Sequence, residues 1–215
     1  MLLQFAPSLL AFAASASALP VLRRQDTCAS LQVLYIPGTN GDGLGETGTA
    51  VQTALAGLTP DSNVEALDYD TSVEYVVTVA EGASKAEDWL TAKGSECPDS
   101  WISLVGYSKG AMVLHEITAP TQAIKDKIVA VAVFGDPYTE DTGIVSELTD
   151  GAFEDLTGKY PVNDVSEDVV EFCNDGDPFC DGGLDVGAHL AYDDDGSTDQ
   201  AASFIVNRFN AKSSG

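Results

Sequence analysis

The chain has 215 residues, 44% of them hydrophobic, and a formal net charge of −24. That length and apolar content support one domain with a sizeable core, and acids scattered among apolar segments exclude a disordered acidic chain. A surface this negative repels phosphate backbones and anionic membranes, so neither a nucleic-acid partner nor membrane insertion is expected.

Residues 1–18 carry the apolar run Leu9-Leu10-Ala11-Phe12-Ala13-Ala14 and end in the small-residue pattern Ala16-Ser17-Ala18. This is the layout of a secretory signal peptide, here without a positive n-region, and the run is too short to span a bilayer. Residues 19–24 close on the dibasic pair Arg23-Arg24 and read as a propeptide, leaving 25–215 as a single secreted domain.

Residues 31–36 form an apolar β-type run, followed by the glycine-rich loop Pro37-Gly38-Thr39-Asn40-Gly41-Asp42-Gly43. A helix is predicted over 48–58 and a short strand over 64–67. Residues 73–93 suit a long amphipathic helix, with Val76, Val79, Ala83, Ala86, Trp89 and Leu90 near one face, punctuated by Gly94 and Pro98. A central strand follows at 102–106 and a helix at 109–118. Residues 128–134 are almost purely apolar and β-branched, as a strand covered on both faces should be. Residues 138–165 are turn-rich, with a short helical piece near 144–148. The last strand is predicted at 169–173 and a C-terminal helix at 198–210, with residues 212–215 fraying. The alternation of five apolar strands with helices predicts an α/β fold: a mainly parallel five-stranded sheet with helices on both faces.

Four cysteines in a secreted chain imply two disulfides, for which three pairings exist. Cys173 and Cys180 flank a short turn-rich segment, so local pairing is simplest and leaves Cys28 for Cys97. Their spacing does not suit zinc.

The pentapeptide Gly106-Tyr107-Ser108-Lys109-Gly110 lies between the central strand and its helix. G-x-S-x-G in that context is a nucleophile elbow, a sharp strand-to-helix turn with the serine at its tip. A serine nucleophile needs a base, and the chain has two histidines. His115 stands seven residues beyond Ser108 on the same helix, about 10 Å of rise, too far for a direct hydrogen bond. It is expected to pack or lie on the surface. His189, in the loop before the final helix, is left as the base. The base needs an acid to hold its tautomer, and Asp136, Asp175 and Asp177 are all candidates. The order Ser108, Asp177, His189 matches that of α/β hydrolases.

Taken together, these stretches resemble the cutinase family, which includes fungal acetylxylan esterases. The resemblance runs from Cys28 and Gly38-Thr39 through Cys97-Pro98 to the Ser108 pentapeptide. It continues in Ala123-Ile124-Lys125-Asp126-Lys127-Ile128 and Val133-Phe134-Gly135, then in Phe172-Cys173-Asn174-Asp175-Gly176-Asp177 with Cys180. It ends at Ala188-His189-Leu190-Ala191-Tyr192. The resemblance implies a small lidless α/β hydrolase with an exposed site. It implies Ser108 as nucleophile, Asp177 as acid, His189 as base, and bridges Cys28–Cys97 and Cys173–Cys180. The backbone N–H of Lys109 and the N–H and hydroxyl of Thr39 would form the oxyanion hole.

Two departures stand out. Lys109 replaces the family's usual Gln, and its side chain is expected to pair with a surface acid. The loop Tyr69-Asp70-Thr71-Ser72-Val73 lacks the family's usual proline and is expected to form one lip of the substrate groove. Leu184 and Val186 are expected to form the other. The expected activity is that of a secreted serine carboxylic-ester hydrolase acting on polymeric or small esters. Cutin-type aliphatic esters come first and acetylated xylan second. The enzyme would work as a monomer without metal or cofactor. A non-catalytic binder on the same fold is the competing class.

Two weaker patterns are set aside. Gly43-x-Gly45-x-x-Gly48, with Asp68 beyond it, starts too far after its strand for a dinucleotide site. Asp193-Asp194-Asp195-Gly196 lacks calcium-loop spacing and reads as a solvated turn.

Overall fold

A computed structural model of the chain describes residues 28–118, 120–138 and 168–214. Five strands form one parallel sheet in the order β2-β1-β3-β4-β5. They are β1 (Leu31–Ile36), β2 (Ser62–Ala66), β3 (Trp101–Tyr107), β4 (Ile128–Phe134) and β5 (Val169–Phe172). The helices are α1 (Gly45–Leu58), α2 (Tyr75–Glu96), α3 (Lys109–Glu116), α4 (Gln122–Lys125), α5 (Val186–Leu190) and α6 (Ser197–Ser213).

Side chains alternate across the strands and build two cores. On one face Leu34, Ile36, Leu104, Val131 and Val133 pack against α2 and α3 through Val79, Ala83, Leu90, Val113 and Leu114. On the other, Val33, Tyr35, Val105, Ala132 and Phe134 pack against α1 and α6 through Val51, Leu55, Ala201 and Ile205. Both cores need apolar strands, which is why β4 is buried at every position. Each fully buried Val, Leu or Ile contributes about 1.5–3 kcal/mol relative to exposure.

The strand order reverses between β1 and β3: the chain leaves β1 toward β2, then returns to the other side of β1. A crevice at the carboxyl ends of the strands opens at such a point. Thr39 follows β1 and Ser108 follows β3, so both flank it.

Four local expectations are corrected. His189 lies on α5 rather than in a loop, because Asp185 caps a helical turn by accepting a hydrogen bond from the Gly187 N–H at 2.9 Å. Gly94 does not stop α2. A Cβ there would sit 3.1 Å from Ile124 Cγ1, so this glycine serves close packing against α4. Val76 is 92% exposed, since the first turn of α2 overhangs the crevice instead of the sheet. The end of α6 does not fray before Ser213: Lys212 Nζ donates to Ile128 O and to Asp168 Oδ2, each at 3.1 Å.

Both disulfides are formed, Cys28–Cys97 and Cys173–Cys180. The expected signal peptide and propeptide, and the helical piece near 144–148, lie outside the described residues. Among the described residues no helix is long and apolar enough to cross a membrane.

Candidate active site

Ser108 sits at the turn between β3 and α3 with φ 53° and ψ −120°, a sparsely populated conformation costing about 1–3 kcal/mol. The turn is so tight that a Cβ on Gly110 would lie 1.9 Å from Ile36 O, so only glycine fits there. The Ser108 N–H donates to Phe134 O at 2.8 Å, anchoring the turn to the end of β4.

Ser108 Oγ lies 2.9 Å from His189 Nε2, and His189 Nδ1 lies 2.7 Å from Asp177 Oδ2. A carboxylate only accepts, so Nδ1 carries the proton and donates to Asp177. Nε2 is then the acceptor facing Ser108. Asp177 is buried and receives two further hydrogen bonds, from the Tyr192 hydroxyl at 2.7 Å and the Phe179 N–H at 2.8 Å. Burial alone would raise its carboxyl pKa. The bonds from His189, Tyr192 and Phe179 outweigh that and hold it below the ordinary aspartate range.

The imidazole is clamped. Phe179 lies on one side with ring centroids 4.3 Å apart, and the ring of Tyr107 stacks at 5.2 Å. The Tyr107 hydroxyl donates to His189 O at 2.9 Å, and burial, followed by the charge of Asp177, pushes its pKa up to about 12. Gly135, at φ 56°, makes room below: a Cβ there would lie 2.7 Å from the imidazole. Asn174 Nδ2 donates to Ala188 O at 2.9 Å and so ties α5 to the Asp177 turn.

The other two candidate acids are excluded by position. Asp136 Oδ2 lies 2.7 Å from His115 Nε2 in a separate buried pair, and Asp136 Oδ1 accepts from the Tyr138 N–H. Asp175 is exposed. His115 is packed, as its place on α3 requires. In the acidic run, Asp195, which precedes the N-cap Gly196, accepts from the Ser197 N–H at the start of α6 at 2.7 Å.

Lys109 opens α3, where the first N–H groups have no acceptor within the helix. Its side chain corrects an expectation. It is fully buried, and Nζ donates to the carbonyls of Asp70 at 2.9 Å and Ser72 at 2.6 Å. The acceptors are main-chain oxygens, not a surface carboxylate, because the chain over 69–75 folds across the start of α3. Burial pushes the ammonium pKa down, against the charges of Asp70 and Glu81. The Thr39 hydroxyl lies 2.8 Å from the Tyr75 hydroxyl.

A groove of about 750 Å³ opens beside Ser108 and His189. Tyr75, Val76 and Val79 form one wall and Phe179 with Leu190 the other. Met112, Pro137 and Tyr138 carry it along α3 to Glu116, whose carboxyl pKa is raised by burial. Leu184 and Val186 do not line it. They are 96% and 56% exposed, since one precedes and the other opens α5, a turn away from the imidazole. No residue of 69–73 lines the groove either; Tyr69 is buried and donates its hydroxyl to Pro37 O at 2.7 Å. A second, acidic concavity of about 940 Å³ lies between α1 and α6 and contains neither Ser108 nor His189.

Tyr192, Phe179, Tyr107 and Tyr75 were not legible as site residues. Tyr107 lies inside the pentapeptide and Tyr192 closes the 188–192 stretch, but neither position gave its side chain a role.

The family model described as Cutinase matches residues 27–209. The chain belongs to the cutinase family. Carboxylesterase Culp1 of Mycobacterium tuberculosis is 32% identical over 189 residues, 86% of this chain and 84% of that one. A cutinase of Hypocrea jecorina is 32% identical over 193 residues, 84% of this chain and 68% of its own. In fold, the catalytic core domain of acetyl xylan esterase from Trichoderma reesei matches with a TM-score of 0.66 at 23% identity, covering 84% of this chain and 99% of that one. As a cutinase-family protein the chain is an ester hydrolase on an α/β-hydrolase fold.

Proposed function

We propose that this cutinase-family hydrolase uses Ser108 as nucleophile, His189 as base and Asp177 as acid, and that it cleaves aliphatic, cutin-type esters. The observation that carries this reading is the hydrogen-bonded series Ser108–His189–Asp177 at the mouth of a long apolar groove. His189 Nε2 takes the proton from Ser108 as Oγ attacks the ester carbonyl. Asp177 holds the imidazole tautomer and stabilises the imidazolium. The Lys109 N–H and Thr39 donate to the oxyanion, each donor contributing on the order of 3 kcal/mol to the transition state. The imidazolium protonates the leaving alcohol and an acyl-Ser108 remains. Water, deprotonated by His189, then releases the acid and frees Ser108.

The apolar walls favour an aliphatic acyl chain over acetyl, because an acetyl group would leave most of the groove wet. Ser108→Ala is expected to abolish hydrolysis of p-nitrophenyl butyrate. With the wild type, rates rise from acetate to butyrate or longer chains. A steep fall beyond acetate contradicts the aliphatic reading and favours acetylxylan, and turnover that survives Ser108→Ala refutes the nucleophile. No turnover by the intact protein leaves the binder class standing.

Two disulfides support an extracellular setting. In this reading residues 1–18 are the signal peptide, 19–24 the propeptide and 25–215 the secreted catalytic domain. One chain supplies the whole site, which supports a monomer as the active unit.

A further inference from the structure

The Lys109 side chain is the departure from the family pattern that the esterase mechanism leaves unused. A fully buried lysine is costly, and an apolar side chain of similar length would fill the same space at less cost. Its surroundings show what the cation does there. The Asp70 and Ser72 carbonyls converge on Nζ, and the rings of Tyr69 and Tyr75 lie 5.2 and 5.5 Å from it. Three ammonium protons satisfy two carbonyls, and the charge suits two aromatic faces.

The chain held this way is stitched to the loop after β1. The Tyr69 hydroxyl donates to Pro37 O at 2.7 Å. The Asn40 N–H donates to Thr71 O at 2.8 Å, and the Thr71 hydroxyl to Gly41 O at 2.9 Å. The Tyr75 hydroxyl meets that of Thr39 at 2.8 Å. Asn40 holds φ 56°, an uncommon conformation for a non-glycine residue that persists only where its surroundings impose it. Every support of the Thr39 loop in this set comes from residues 69–75, and Nζ bonds two carbonyls inside that segment.

We propose that the Lys109 side chain is a positioning residue for the oxyanion hole. It clamps residues 69–75 against α3, and these, ending in Tyr75, hold Thr39 at the distance and angle an oxyanion requires. One residue then serves twice: its N–H is one donor and its side chain sets the other. The inference rests on Ser108 being the nucleophile.

The test measures kcat and KM on p-nitrophenyl butyrate, together with the rate at which a p-nitrophenyl phosphonate modifies Ser108. That reaction needs the oxyanion hole but no deacylation. Lys109→Met keeps length and removes the donors. It is expected to lower kcat and the phosphonylation rate together, about tenfold to a hundredfold, with KM nearly unchanged. Lys109→Gln retains an NH2 donor on a shorter arm and falls between the two. Tyr75→Phe removes the hydroxyl that meets Thr39 and gives a smaller loss. The double variant Lys109→Met/Tyr75→Phe is no slower than Lys109→Met alone, because both act along one path. Phosphonylation of Lys109→Met at the wild-type rate overturns the proposal, as does full additivity of the two losses. If Lys109→Met does not fold, wild-type phosphonylation rates in both Lys109→Gln and Tyr75→Phe overturn it. A wild-type enzyme that takes no phosphonate on Ser108 refutes the nucleophile assignment instead, a result separable from all of these.

Discussion

Asp177 receives hydrogen bonds from an imidazole, a phenol and a backbone N–H at once. Asp177→Asn keeps the shape but turns the partner of Nδ1 into an amide that can donate. The imidazole then presents N–H to Ser108 and cannot serve as the proposed base. The expected result is a kcat lower by on the order of 10⁴ with little change in KM, measured on p-nitrophenyl butyrate. The same bonds link the carboxylate to stability. Its folded pKa lies below the ordinary aspartate value, so its contribution is complete above about pH 4, the unfolded range, and is lost as pH falls through the lowered folded value. Urea unfolding of wild type and Asp177→Asn from neutral pH downward should show the gap between them closing only in that acid window. At this scale the sequence told which histidine could reach Ser108, because helical rise keeps His115 away and His189 Nε2 lies 2.9 Å from Ser108 Oγ. It could not choose among Asp136, Asp175 and Asp177 from spacing, because that choice depends on where the ends of β4 and β5 lie relative to α5.

The elements meet where glycine lets backbones touch. Gly110 brings the first turn of α3 onto the end of β1, and the added methyl of Gly110→Ala would collide with a carbonyl instead of a movable side chain. The expected cost exceeds about 3 kcal/mol in chemical denaturation, with activity lost in step because the same contact sets the Ser108 turn. The strands were legible to within a residue or two, since an apolar β-branched run between turns has few other uses. Helix faces were less so. Val76 falls on the apolar stripe of α2 yet is exposed, because that stripe is buried only where the sheet lies beneath it. Periodicity gives the direction of a side chain, and the neighbouring element decides what it meets.

For the molecule as a whole, the two bridges act on different quantities. Cys28–Cys97 closes a separation of 69 residues and Cys173–Cys180 one of 7. By loop entropy, replacing the first pair with serines costs about 4 kcal/mol and the second about 2. Activity should follow the opposite order. The long bridge lies at the start of β1 and the end of α2, away from the groove, so kcat is expected to persist in folded protein. The short bridge encloses the turn carrying Asp177 and Phe179, so its loss should lower kcat more than it lowers the melting temperature. Paired thermal melts and kcat measurements on the two double-serine variants check both halves.

Strand pattern, elbow spacing, cysteine spacing and the count of histidines are local properties, and they were enough to place the fold and to single out Ser108 and His189 as the serine and base proposed here. The sequence by itself also marked Lys109 as unusual. Only the tertiary structure assigned Asp136 to His115 and Asp177 to His189, brought Phe179 and Tyr107 onto the imidazole, and turned Lys109 inward beneath Asp70 and Ser72. The physical reason is common to all of these. They are contacts between different loops and elements, made at the carboxyl edge of the sheet, and their geometry follows from how the strands are ordered and how closely the helices approach. No single stretch of residues contains that information.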